Sequence, residues 1–185
     1  MKDSELYSRA LAFAAWKHRS QTRRDGETPY ITHPLAVADL VRRAGGDTRT
    51  QVAALLHDTL EDTDATENEI LEFGPDVLEA VKLLTRPEGA DEDEYVEKIL
   101  KNPMAAMVKN ADKLHNLSQA PFCEDREWAK RYVEKSRRYY GERFSPAVDK
   151  MIGNARSILS GFGPTATLDG LSPNELSLLR RWEKP

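Results

Sequence analysis

An all-α fold, a single helical bundle of about eight to ten helices, is predicted by three features of the sequence. No run of alternating β-branched residues is bounded by turn chemistry, so strand signals are scarce. Apolar residues recur at helical spacing in one segment after another. Between those segments stand the Gly, Pro, Ser, Thr and Asp residues that stop and start helices. The 185 residues amount to one domain, enough to bury a core without staples. The expected division is 1–161 for the bundle and 162–185 for a C-terminal linker and short helix.

The first helix is expected over 3–19, with Leu6, Ala10, Phe13 and Ala14 on one stripe and Asp3 or Ser4 as its N-cap. The polar loop QTRRDGETPYI follows, punctuated by Gly26 and Pro29. Pro34 suits the first turn of the next helix. Leu35, Val37, Ala38 and Val41 carry it to Ala44, and Gly45-Gly46 ends it. Residues 49–60 read as a short helix whose apolar middle marks it as buried. Thr66 and Glu69 form a capping-box pattern that opens the helix running toward Phe73. Residues 76–84 continue the helical period after Gly74-Pro75, and the acidic stretch RPEGADEDE reads as a loop. Further helices are expected near 93–101, 104–117, 125–143 and 146–160. Residues 162–170 have linker composition. Ser172, Pro173 and Glu175 then supply an N-cap, a first-turn Pro and a capping-box Glu for a last helix ending near Trp182.

Composition excludes several classes. Twenty-seven Lys+Arg against 31 Asp+Glu leave a net charge of -4, which argues against a protein that coats nucleic acid. A local basic mouth for one small polyanion remains compatible with that balance. The single cysteine, Cys123, can neither close an internal disulfide nor make a thiolate metal site alone. No apolar run approaches the ~20 residues of a membrane span, and the N-terminus lacks a signal-peptide core. A cytoplasmic protein with neither membrane nor nucleic-acid partners is expected.

Four polar clusters interrupt the helical pattern where a packed core favours Leu or Ala: His33, His57-Asp58, Glu61-Asp62, and Asp112 with Asn116. On one helix, His57 and Glu61 share a face, as do Asp58 and Asp62. The preceding residues, Val52 to Leu56, are apolar, so these groups end a buried element. Buried carboxylates need a partner or a metal, and no Lys or Arg stands in the second half of this segment. Two imidazoles and two carboxylates from His33, His57, Asp58 and Asp112 suit Mn²⁺, Fe²⁺ or Zn²⁺ better than Ca²⁺. A metal there would lower the pKa of water and polarise a phosphoryl oxygen, with Glu61 and Asp62 available to orient or deprotonate that water. Taken singly, each residue has an ordinary reading: His57 as a satisfied core histidine, Asp112 as an ion-pair partner of Lys113 or Arg126. Taken together, the ordinary reading needs four coincidences in apolar surroundings.

The segments AAWKHRSQTRRDGETPYITHP, ALLHDTLEDTD and VKNADKLHNL, in this order, resemble the motifs of the HD-domain hydrolases. More narrowly they are similar to the hydrolase domain of RelA/SpoT homologues and to the small alarmone hydrolases, over roughly residues 5–120. The resemblance implies that His33, His57, Asp58 and Asp112 bind Mn²⁺ and that Glu61 and Asp62 activate the attacking water. It implies cleavage of the 3′-diphosphate of ppGpp or pppGpp to GDP or GTP plus pyrophosphate; ppApp is a related candidate because stacking arginines read a purine face without distinguishing the bases well. It further places Arg23 and Arg24 against base and ribose-phosphate, Asn116 at the sugar and Tyr132 under ribose or base. An arginine plane can also stack on a purine.

Other residues read more plainly. Lys109 and Lys113 suit a solvated helix face, His18 suits packing, His115 suits a surface or packing position, Tyr30 suits the core equally well, and Trp16, Trp128 and Tyr139-Tyr140 suit core or interface. The acidic stretch 86–95 falls where related hydrolases bring a lysine toward the phosphates; Arg86, Lys98 or Lys101 could substitute. A generic HD phosphohydrolase acting on nucleotide monophosphates or other small esters shares the same metal site. A silent nucleotide-binding module is the third reading, disfavoured by the extra carboxylates Glu61 and Asp62.

Overall fold

The computed structural model describes residues 2–172 and Glu175, with the backbone alone at Glu142. They form α1 (Asp3–Lys17), α2 (Thr32–Arg43), α3 (Thr48–Leu56), α4 (Thr59–Asp62), α5 (Glu67–Leu71), α6 (Pro75–Leu84), α7 (Glu92–Leu100), α8 (Pro103–Gln119), α9 (Arg126–Tyr139), α10 (Gly141–Phe144) and α11 (Pro146–Leu159). A 3-10 turn, Ala120–Phe122, joins α8 to the approach to α9. Among the described residues the only β pairing is an isolated bridge between Thr22 and Pro29. The fold is all-α, as the periodicity predicts.

The bundle is built around α3. Val52, Ala53, Ala54, Leu55 and Leu56 are fully buried, because α1, α2, α6 and α8 pack on every side of this helix. The second axis is α8, whose Ala105, Ala106, Val108, Ala111, Leu114 and Leu117 are likewise buried. It packs against α2, α7 and α11, and α9 and α10 pack in turn on α11. Helix starts are chemically marked. Asp47, Asp91, Asn102, Asp125 and Ser145 each accept a backbone N–H as N-cap, satisfying one of the orphan donors of a first turn. Thr66 and Glu69 form the expected capping box. After α2 the chain turns at Gly45, whose φ of +81° suits glycine. At Gly46 a Cβ would lie 2.5 Å from Val41 Cγ1 and 2.9 Å from Met107 Sδ, so only glycine lets α2 end against α8.

Three local expectations need correction. The N-cap of α1 is Lys2, not Asp3 or Ser4; Asp3 instead accepts the Thr48 hydroxyl at 3.1 Å. The single helix expected over 49–60 is two, broken at His57-Asp58. There His57 Nδ1 donates to Ala54 O at 2.7 Å and Thr59 Oγ1 to Leu56 O at 2.7 Å, competing for carbonyls that a continuous helix would use. The helix expected over 125–143 likewise divides, at Tyr140.

The linker composition of 162–170 hides a strapped segment. Asn154 Oδ1 accepts Thr165 N and Ala166 N at 2.7 and 3.0 Å, and Leu171 is buried. Ser172 and Glu175 exchange the expected capping bonds, and the rest of the last expected helix lies outside the described residues.

Candidate functional site

Four elements deliver the predicted ligands to one point. His33 sits in the first turn of α2, His57 ends α3, Asp58 opens α4, and Asp112 lies midway along α8. His33 Nε2 is 3.7 Å from Asp58 Oδ2 and 3.3 Å from Asp112 Oδ1. His57 Nε2 is 3.0 Å from Asp58 Oδ2 and 4.0 Å from Asp112 Oδ1. His33, His57 and Asp58 each offer a donor atom within 4.8 Å of the others. The break between α3 and α4 turns Asp58 toward the two imidazoles.

The charges do not balance unaided. Because His57 Nδ1 donates to Ala54 O, only Nε2 faces the cluster, and this buried atom makes no hydrogen bond despite its closeness to Asp58. An imidazole nitrogen with its lone pair aimed at two carboxylates fits a divalent cation. Without the cation the site compensates with protons. Burial pushes His57 down, but Asp58 and Asp112 outweigh it and hold the ring up at about 9. Burial lowers His33 in spite of Asp112. Burial raises Asp112, and the Lys109 ammonium and His33 more than reverse it, leaving Asp112 well below the usual carboxylate range.

A second ring of contacts orients these groups. The Tyr30 hydroxyl donates to Asp58 Oδ2 at 2.6 Å and lies 3.3 Å from Asp62 Oδ2. Lys109 Nζ lies 3.1 Å from Asp112 Oδ2, and Asn116 Nδ2 donates to Asp112 Oδ1 at 2.5 Å. His33 and His115 share a hydrogen bond between their Nδ1 atoms, 2.8 Å apart. Burial, then His33 and Arg23, pushes His115 down to about 3, so it stays neutral. Tyr30, for which site and core were equally open, and His115, expected as a surface or packing residue, thus both contact the site. Spacing carried a signal for His115, three residues after Asp112 on α8, but none for Tyr30, which lies in the turn before α2. Lys109 and Lys113 are not on a solvated face. Lys113 is buried, its Nζ 4.8 Å from the Tyr132 ring and 4.0 Å from the Tyr140 ring, and burial with Lys109 nearby lowers it to about 7.

The two carboxylates of α4 part company. Asp62 lies on the Tyr30 side, its carboxyl raised by burial, Asp58 and Glu61. Glu61 turns the other way, where its Oε2 accepts the Arg86 main-chain N–H at 2.9 Å.

Beside the cluster lies a cleft of about 660 Å³, lined by Arg23, Arg24, Trp128 and Tyr132 and by Tyr30, His115 and Asn116, the three residues that hydrogen-bond Asp58, His33 and Asp112. Arg23 donates to Asn116 Oδ1 at 2.9 Å, so all four residues expected to touch substrate line one cavity. Arg24 lies 3.8 Å over the Trp128 ring, and Trp128 stacks on Tyr132 at 5.1 Å and 21°. Trp128 packs against the core, as expected, and also walls the cleft. The loop carrying the arginines is ordered by its own bonds. Asp25 Oδ1 accepts Glu27 N and Thr28 N, and Arg23 N and Tyr30 N bond to Thr28 O and Gln21 O. Arg86, considered as a phosphate contact, instead pairs with Glu92 at 3.1 Å and donates to Ala90 O. Lys98 and Lys101 are solvent-exposed.

Comparisons with known proteins identify the family. A family model described as HD domain matches residues 10–131. A Xenopus tropicalis protein named guanosine-3′,5′-bis(diphosphate) 3′-pyrophosphohydrolase MESH1 is 39% identical over 174 residues, spanning 86% of this chain and 91% of its own. The Mus musculus protein of that name is 42% identical over 135 residues, spanning 68% of this chain and 75% of its own. A Mycobacterium tuberculosis protein, bifunctional (p)ppGpp synthase/hydrolase RelA, is 38% identical over 142 residues, which make up 71% of this chain but only 19% of that longer one. A solved structure described as a metazoan ortholog of SpoT that hydrolyzes ppGpp superimposes with a TM-score of 0.62 at 30% identity, over 80% of this chain and 94% of the other.

Proposed function

The chain belongs to the HD-domain family, with the MESH1 hydrolases among its relatives, and from that premise we propose that it is a Mn²⁺-dependent hydrolase of guanosine 3′,5′-bis(diphosphate). The observation that carries this reading is that Tyr30, His115 and Asn116 bond the His/Asp cluster on one side and line a nucleotide-sized cleft on the other, whose walls hold two arginines and two stacked aromatics. A metal-only phosphatase site needs no such wall.

His33, His57, Asp58 and Asp112 would hold the metal, and the orphaned His57 Nε2 is the observation that supports the fit. A divalent ion bound there supplies Lewis acidity at a phosphoryl oxygen. The chain's own groups do the rest. Arg23 and Arg24 offer charge-assisted hydrogen bonds to phosphate oxygens, and the Arg24–Trp128–Tyr132 stack receives a purine face. Such stacking reads either purine, so ppApp joins ppGpp and pppGpp among the proposed substrates. Asp62, its carboxyl raised by burial and by Asp58, takes the proton of the attacking water, and Glu61 aligns that water from the opposite flank. The water oxygen bonds to the phosphorus on the ribose 3′ oxygen. The P–O bond to the ribose breaks, the 3′ oxygen gains a proton, and pyrophosphate leaves.

The test is product analysis of Mn²⁺-loaded protein with ppGpp, pppGpp, ppApp and nucleoside monophosphates, beside an Asp112→Ala control. Pyrophosphate from an alarmone, lost in the control, is the expected result. Orthophosphate from monophosphates with alarmones untouched would establish the generic phosphohydrolase instead. That second reading draws on the commitment of Arg86 to Glu92, which takes one cation away from the phosphates.

A further inference from the structure

The acidic stretch 86–94 contains one carboxylate that faces inward. Glu92 is buried. Its Oε1 accepts the Tyr140 hydroxyl at 2.7 Å, and its Oε2 lies 2.8 Å from Lys135 Nζ and 3.1 Å from Arg86 Nη2. A buried carboxylate persists only when paired. Here the paired cations come from α9 and from the loop 85–91, so the charge of Glu92 draws the two together.

That loop touches the site. The Arg86 guanidinium donates to Ala90 O and forms an ion pair with Glu92 Oε2 at 3.1 Å, while its main-chain N–H donates to Glu61 Oε2 at 2.9 Å. The loop contains Pro87 and a Gly89 at φ +73°. Its own main chain contributes the Ala90 N to Pro87 O bond, and its start is pinned where the Tyr95 hydroxyl donates to Leu84 O. A run of direct contacts therefore leads from Lys135 and Tyr140 through Glu92 and Arg86 to Glu61.

We propose that Glu92 is a positioning residue: through Arg86 it sets where the Glu61 carboxylate stands relative to the attacking water. The inference rests on the reading of Glu61 as the carboxylate that aligns that water. It gives the acidic stretch a role other than repelling phosphate.

Two substitutions test it. Glu92→Gln keeps shape but removes the charge, and Arg86→Ala, at an exposed loop position, keeps the main-chain N–H and frees the loop. On Mn²⁺-loaded protein with ppGpp, each is expected to lower kcat about 10-fold with KM unchanged. In a Glu61→Gln background each should have no further effect, because residues acting through one group are non-additive. Independently of turnover, hydrogen exchange at the Arg86 amide should accelerate in both Glu61→Gln and Glu92→Gln. Full kcat in the folded single variants, multiplicative losses in the Glu61→Gln background, full activity of Glu61→Gln itself, or an Arg86 amide indifferent to Glu92→Gln would each overturn the proposal. If Glu92→Gln does not fold, Arg86→Ala carries the kinetic comparison alone. If the wild-type protein releases no pyrophosphate, the functional reading fails, and the Arg86 amide still reports whether Glu92 holds the loop to Glu61.

Discussion

Tyr30→Phe removes one oxygen and leaves the ring, so it isolates the hydrogen bond to Asp58 from packing against His18 and His33. Outer contacts of this kind orient ligands, and losing one typically costs about 10–100-fold in metal affinity or activity. The expected outcome is weaker Mn²⁺ binding by calorimetric titration with an unchanged circular dichroism spectrum. Residues such as His33, His57, Asp58 and Asp112 were legible in the sequence because polar groups in apolar surroundings demand a reason. Tyr30 was not, since a tyrosine after proline in a loop has an ordinary packing role. Lys113 escaped for a different cause: the rings that enclose it, Tyr132 and Tyr140, come from distant sequence, and helical spacing along α8 is blind to them.

At the scale of elements, α9 presents Trp128 and Tyr132 one turn apart, and the Asp125 cap fixes where that turn begins. Trp128→Ala should raise KM for the nucleotide about tenfold, within the range of about 1–3 kcal/mol for one base–aromatic stack. Because Trp128 bonds none of the four cluster residues, kcat should hold; steady-state kinetics separate the two. The helices themselves could be read from periodicity and caps, since both are local. The break between α3 and α4 could not, because it arises from side-chain bonds of His57 and Thr59 to carbonyls. Periodicity counts faces and does not see that competition. The same break gives Asp58 its place, so the most chemical part of α3–α4 is also the part that departs from regular helix.

For the whole molecule, the buried carboxylate of Glu92 links folding to pH. Burial raises its pKa, but Lys135, the Tyr140 hydroxyl and Arg86 outweigh burial and leave it below the ordinary 4.5. A depressed carboxyl contributes stability that is present above the unfolded-state value and lost as pH falls through the lower folded-state value. Urea midpoints measured from neutral pH down to about pH 3 should therefore fall more steeply for wild type than for Glu92→Gln. Charge acts at longer range as well. A molecule of net charge -4 would turn polyanions away, were Arg23 and Arg24 not held at the cleft by a loop that Asp25 closes on itself. Since that turn is already formed, the loop has little ordering left to do when a ligand arrives. Capture becomes a matter of encounter: its rate should follow solvent viscosity and ionic strength, as in a diffusive collision steered by local field, instead of waiting on a slow rearrangement of the chain.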